Sequence, residues 1–140
     1  MQTPDLVTPK LPALLAYQLS LKKPVPPEGS YRVAAAVRGK GVFMGAAKCA
    51  TCHKPPLYTD INRGILHKPR ETGMDPTYAQ RSITKRYRTT PLRALWQHAT
   101  YFHDGSAETL DDVVDHYNRR LKLHLTERQQ RDLVEFLKSI

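Results

Sequence analysis

No apolar run in this 140-residue sequence approaches the roughly 20 residues that a bilayer-spanning helix needs, so no membrane span is expected. The most apolar early stretch, Leu11 to Tyr17, is too short for a span. It also lacks a charged leading region and a cleavage site, so it is not read as a signal peptide. An export signal is expected to have been removed or to lie upstream. Acidic side chains are scarce: 13 Asp and Glu stand against 22 Lys and Arg, for a formal charge of +9. That excess favours an acidic partner or surface. The basic residues are scattered and no zinc-finger, RRM or KH signature is present, so nucleic acid is not expected as a partner. No internal repeat and no convincing strand is found. Cysteine is scarce too: the chain holds two, and both fall in one short motif.

What is present fits one domain. Hydrophobic residues make up 40% and charged residues 25%, which is ordinary for a globular chain. Residues 1–28 read as a lead-in, ending in the strap Lys22-Lys23-Pro24-Val25-Pro26-Pro27-Glu28-Gly29, whose prolines favour extended backbone. Residues 29–140 read as the domain proper. A helix is expected after Ser30 as N-cap, with Val33, Ala36, Val37 and Met44 recurring at helical spacing through residues 31–44. Gly39 and Gly41 interrupt it, and a close-packing role suits them. Residues 54–92 read as one long loop, of the kind that wraps a bound group. Thr109-Leu110-Asp111-Asp112 and Thr126-Glu127-Arg128-Gln129 are capping boxes that open two more helices. Their stripes are Leu110, Val113, Val114 and Tyr117, then Leu133, Phe136, Leu137 and Ile140. The expected fold class is all-α.

The motif is Lys48-Cys49-Ala50-Thr51-Cys52-His53. Cys-x-x-Cys-His is the attachment sequence of a c-type haem. Two cysteines three apart each reach one vinyl group through a thioether, and the histidine that follows falls beneath the iron. The other readings explain less. A thioredoxin-type redox pair needs a βαβ setting. A zinc site needs a further pair of ligands, and only scattered histidines are available: His67, His98, His103, His116 and His124. A disulfide across three residues leaves His53 unexplained.

From these residues the chain resembles a cytochrome c domain. Gly39 and Phe43, ahead of the motif, resemble the contact face of that fold's first helix, and Leu133 and Phe136 that of its last. A closer resemblance lies downstream. Tyr87-Arg88-Thr89-Thr90-Pro91-Leu92-Arg93, Tyr101-Phe102-His103-Asp104-Gly105-Ser106 and Thr109 to Val114 resemble the C-terminal haem domain of the bacterial di-haem cytochrome c peroxidase family. The segment Ala16 to Leu21 with its proline strap resembles the lead-in to that domain. The resemblance implies one covalently bound haem c, a cytochrome c-like fold with helices wrapped round it, and a periplasmic setting. Members of the family carry two haem motifs and this chain carries one. What remains resembles the electron-relay half.

Residues facing the haem follow from motif and resemblance together. Cys49 and Cys52 hold the group and His53 binds iron. Arg88 and Arg93 suit the propionates, since guanidinium is a planar cationic fork. Trp96 suits packing against the ring. His103 and Asp104 suit hydrogen bonds that shape the nearby loop. The sixth iron ligand stays open between Tyr117, Met74 and His98, or no side chain. The resemblance implies methionine or tyrosine at position 117, which shares a face with Leu110 and Val113. Met74 lies in the long loop, where thioether ligands of small cytochromes often sit. His116 is one position off the stripe and reads as a solvated histidine, and Met44 as helix core. Together these readings predict a mono-haem cytochrome that shuttles single electrons with an acidic redox partner. The alternative is the relay domain of a longer peroxidase, or a weak haem peroxidase.

Overall fold

The computed structural model describes residues 4–140. Six α-helices and a two-stranded sheet follow one another: α1 (Leu11–Ser20), α2 (Val33–Met44), β1 (Leu66–His67), α3 (Pro69–Thr72), α4 (Thr77–Arg81), β2 (Tyr87–Arg88), α5 (Leu110–Arg120) and α6 (Glu127–Lys138). The architecture is therefore mostly helical. The sheet corrects the expectation of no strand: β1 and β2 are antiparallel, with Leu66 opposite Arg88 and His67 opposite Tyr87.

The core is the crossing of α2 and α6, with α5 laid against α6. Gly39 makes the crossing possible. A Cβ at that position would lie 1.9 Å from the Asp132 carbonyl oxygen and 2.9 Å from Phe136 Cβ. Only hydrogen lets the two backbones approach this closely. One turn further on, Phe43 is fully buried. Its ring meets Phe136 edge-on at 5.1 Å and Tyr58 at 5.9 Å, geometry that aromatic quadrupoles favour. Polar clamps flank the crossing. The Arg38 guanidinium donates to both oxygens of the buried Asp132 at 2.8 and 2.7 Å, and the Arg32 backbone N–H donates to Glu135.

Both capping boxes form. Thr109 Oγ1 accepts from the Asp112 N–H at 3.1 Å, and Thr126 Oγ1 from the Gln129 N–H at 3.3 Å. Each closes an otherwise unsatisfied donor of the first turn. Of the α6 stripe, Leu133, Phe136, Leu137 and Ile140 are all buried.

The start of α2 differs from expectation. Arg32, not Ser30, is its N-cap, and no side chain caps it. Its buried face is Ala35, Ala36, Gly39 and Phe43, whereas Val33, Val37 and Met44 are exposed. Small residues win that face because the close crossing leaves no room for a valine stripe. Residues 54–92 are likewise not a bare loop. They hold a 3₁₀ turn, Ile61–Arg63, besides β1, α3, α4 and β2. These pieces are too short to show periodicity and are pinned by specific bonds, such as Thr59 Oγ1 donating to the Thr89 carbonyl at 2.6 Å. Within the lead-in, residues 11–20 form α1, a helix with no buried residue. No helix of the described residues is long and apolar enough to cross a membrane.

Candidate haem-binding site

The end of α2, the segment 48–109, α5 and α6 enclose a cavity of about 680 Å³. Cofactor sites commonly measure roughly 300–1,000 Å³. Leu110, Val113 and Val114 from α5 and Leu133 and Leu137 from α6 supply an apolar wall. Cys49, Cys52 and His53 stand on the same cavity. The α2–α6 crossing fixes their place, because the chain leaves α2 at Met44 and turns through a short 3₁₀ segment, Cys49–Thr51. The two thiols are not joined.

His53 is held in one orientation. Its Nδ1 lies 2.9 Å from the Tyr58 carbonyl. A carbonyl only accepts, so Nδ1 carries the hydrogen and Nε2 keeps a free lone pair. Burial pushes the imidazole pKa below its ordinary value, against the opposing bond from Tyr58. The ring is therefore neutral, the state a metal needs. Burial also pushes Cys49 up to about 11, and raises Cys52, which the nearby Asp60 and Glu71 charges raise further. Both stay thiols rather than thiolates at neutral pH.

All three candidates for the sixth position line the cavity: Tyr117, Met74 and His98. They differ in setting. His98 is exposed and Met74 half-buried in the turn after α3. Tyr117 sits on α5 between the rings of Phe102, at 5.9 Å, and His116, at 5.3 Å. Its hydroxyl has no hydrogen-bond partner among the described residues. Burial foremost, with the two cysteines adding to it, pushes the phenol up to about 12. His116 is not a solvated histidine. Its Nε2 lies 2.8 Å from the Thr72 carbonyl and its ring packs on Phe102, so it ties α5 to the turn that carries Met74.

Arg88 and Arg93 also line the cavity, exposed and without a salt bridge among the described residues. Trp96 is half-buried but does not line the cavity, and its Nε1 is buried without a hydrogen-bond partner among the described residues. His103 Nε2 is 3.2 Å from the Tyr87 hydroxyl, and Asp104 accepts from Ser106.

Sequence reasoning missed one cluster. His67 lies between two carboxylates, with Nε2 2.8 Å from Asp60 and Nδ1 3.0 Å from Glu71. Burial depresses the His67 pKa, but the bonds from Asp60 and Glu71 outweigh it and hold it above the ordinary value. Ligand atoms of Cys52, Asp60 and His67 lie within 4.8 Å of one another. Both ring nitrogens face carboxylates, so neither offers a lone pair to a metal. The only advance signal was the Asp-x₆-His-x₃-Glu spacing, which is too common to single out.

The donor set fits a covalently held haem: two adjacent thiols, a neutral imidazole with a free Nε2, an apolar slot, and cations on its wall. Comparison with known proteins agrees. No family model matches the chain. The methylamine utilization protein MauG of Methylorubrum extorquens is 33% identical over 129 residues, covering 75% of this chain and 34% of that protein. Cytochrome-c peroxidase IdrP1 of Denitromonas iodatirespirans is 30% identical over 152 residues, covering 76% of this chain and 40% of that protein. Among solved structures, a Kuenenia stuttgartiensis hydrazine synthase chain superposes with a TM-score of 0.62 at 26% identity, over 94% of this chain and 55% of that one.

The resemblance to the di-haem cytochrome c peroxidase family therefore holds over about three quarters of the chain. The chain spans roughly a third to two fifths of the length of these curated relatives.

Proposed function

We propose that the domain holds one haem through thioethers from Cys49 and Cys52, takes His53 as iron ligand, and passes single electrons to and from an acidic redox partner in the periplasm. The observation that carries this reading is the shared cavity: the motif cysteines, His53 with its free Nε2, and the unpartnered Tyr117 phenol all stand on one apolar slot. When bound, the haem supplies a one-electron ferric–ferrous couple. The protein's own groups do the rest. The Tyr58 carbonyl fixes the His53 tautomer and ring orientation. Arg88 and Arg93 offer cations to the propionates. The α5 and α6 side chains exclude water, which strengthens each electrostatic contact.

Tyr117 is the favoured sixth ligand over Met74 and His98, because it is held by a helix between the rings of Phe102 and His116 and has no competing bond. A phenol raised this far loses its proton only to a strong Lewis acid. A hard anionic oxygen there stabilises ferric iron and lowers the potential. Visible and EPR spectra of Tyr117→Phe, Met74→Leu and His98→Gln test this. The Tyr117→Phe spectrum is expected to change and the others to stay as in the parent; an unchanged Tyr117→Phe spectrum refutes the assignment.

A second reading, supported by the partial coverage of the relatives, is the relay domain of a longer peroxidase-like protein. Ferric and ferrous forms that ignore cyanide and carbon monoxide support a carrier or relay. Ligand binding with peroxide turnover supports a catalyst.

A further inference from the structure

The segment Pro76–Arg93 holds five cations, Arg81, Lys85, Arg86, Arg88 and Arg93, and no carboxylate. None of the five forms a salt bridge among the described residues, although other arginines of the chain do. Lys85 and Arg86 bond only to the backbone carbonyls of Gln80 and Leu66. Arg86 shares its field with Glu71, whose pKa it helps to lower, and all five side chains are exposed to water.

Two apolar side chains stand in the same segment. Ile83 is fully exposed and Tyr78 is 56% exposed. An isoleucine and a tyrosine set among arginines and lysines have the composition of an interface centre with a charged rim. Tyr78 also connects inward. Its ring meets His103 edge-on at 5.7 Å, and His103 packs on Tyr87 at 4.7 Å. His103 and Tyr87 both line the cavity. Arg81 lies 5.5 Å from the Tyr78 ring on its outer side. Asp75 and Asp104 near His103 stay charged, because the bonds from Thr77 and Ser106 lower their pKa values; the cationic rim is therefore confined to residues 81–88.

We propose that the α4–β2 connection, centred on Ile83 and Tyr78 and rimmed by Arg81, Lys85 and Arg86, is the docking surface for an acidic one-electron redox protein. This rests on the electron-transfer reading above and localises its partner. A protein seated here lies against the Tyr78–His103–Tyr87 stack, whose inner two rings form cavity wall. The basic rim steers encounter, and the apolar centre holds the complex once water is excluded.

The test uses the haem-loaded protein and a small acidic c-type cytochrome as probe, with binding measured by calorimetry at low and moderate salt. The triple variant Arg81→Glu/Lys85→Glu/Arg86→Glu is expected to weaken binding by about tenfold or more. Lys10→Glu/Lys22→Glu/Lys23→Glu changes net charge equally and is expected to weaken it by less than about threefold. Ile83→Ser removes a side chain that touches no core, so it cannot act through misfolding. It is expected to weaken binding about threefold to tenfold with an unaltered salt slope. Equal losses in the two triples, no loss with Ile83→Ser, or no binding of the probe at low salt each overturn the proposal. Failure of the electron-transfer reading is seen separately, as a haem-loaded protein without a reversible one-electron couple.

Discussion

Replacing Gly39 by alanine tests the packing that fixes the haem motif. In an isolated helix the change favours folding by about 1 kcal/mol. Here the new methyl carbon would lie 1.9 Å from a backbone oxygen and 2.5 Å from its carbonyl carbon. Backbone cannot swing aside, so α2 and α6 must separate by more than 1 Å, judged against ordinary contact of about 3.5 Å. Overpacking costs about 1–3 kcal/mol. Separation also stretches the Arg38–Asp132 pair and loosens Phe43 against Phe136. A net loss of about 2 kcal/mol is expected, or roughly 8 °C in Tm at this chain length. Gly41 is the matched control: it lies in the same helix, and a Cβ there meets nothing within 4 Å. Gly41→Ala is expected to gain up to about 1 kcal/mol. Urea denaturation of the two haem-loaded variants, followed by far-UV circular dichroism, reads the difference. Equal stability of Gly39→Ala and Gly41→Ala refutes the close-crossing argument.

Other outcomes follow from single contacts. Thr109→Ala removes the N-cap of α5 and is expected to cost about 1 kcal/mol, with Thr109→Ser restoring most of it in the same urea assay. His67→Gln is expected to change how stability depends on pH. The folded His67 pKa is raised, so its contribution is whole below the ordinary value of about 6.5 and fades as pH climbs through the raised value. Asp60 and Glu71 have lowered pKa values, so their contributions exist above about pH 4 and fade as pH falls through the lowered values. The stability gap between parent and His67→Gln is therefore largest at about pH 5–6 and narrows on both sides; a gap independent of pH removes the ionic clamp.

The sequence was legible where the physics is local or strictly spaced. The capping boxes at Thr109 and Thr126 need only four consecutive residues, and both form. The α6 stripe follows helical period and is buried throughout. Gly39 stood out because glycine inside a helix needs a reason. The α2 stripe misled for the same cause. Of the expected stripe Val33, Ala36, Val37 and Met44 only Ala36 is buried, and the rest of the buried face is Ala35, Gly39 and Phe43. Which face of a helix is buried depends on its partner, and the partner lies about 90 residues away. At the site, Cys49, Cys52 and His53 were singled out by their spacing, and the structure brings all three onto one cavity. The His67 clamp was not, because Asp60 and Glu71 converge on it only through the turn of β1 into α3. Trp96 illustrates the converse: its size suggested a cavity wall, but the 3₁₀ turn Leu95–Gln97 leaves it off that wall.

The distribution of buried side chains makes a final prediction about the bound group. The main hydrophobic cluster is drawn from α2 and its end, α5, α6 and the residues between them, from Phe43 and Ala47 to Ile140. It includes no fully buried residue between Ala47 and Leu110. Residues 54–109 reach that cluster only through the partly buried Tyr58, Leu92, Leu95 and Tyr101, and are otherwise held by hydrogen bonds such as Thr59 to Thr89 and the Ala94 N–H to the Ile140 carbonyl at 2.7 Å. Net hydrogen bonds contribute only about 1 kcal/mol each, too little to order so long a wrap against its backbone entropy. On the haem-binding reading proposed above, the further apolar contact would come from the bound group, as in other proteins whose folding is linked to cofactor binding. A Cys49→Ala/Cys52→Ala variant freed of haem is therefore expected to keep slow amide exchange in α2 and α6. The amides of residues 54–109 are expected to lose protection by at least about tenfold. Equal protection of the wrap with and without haem would show that it folds on its own, and would leave the haem as a guest in a finished cavity rather than as part of the core.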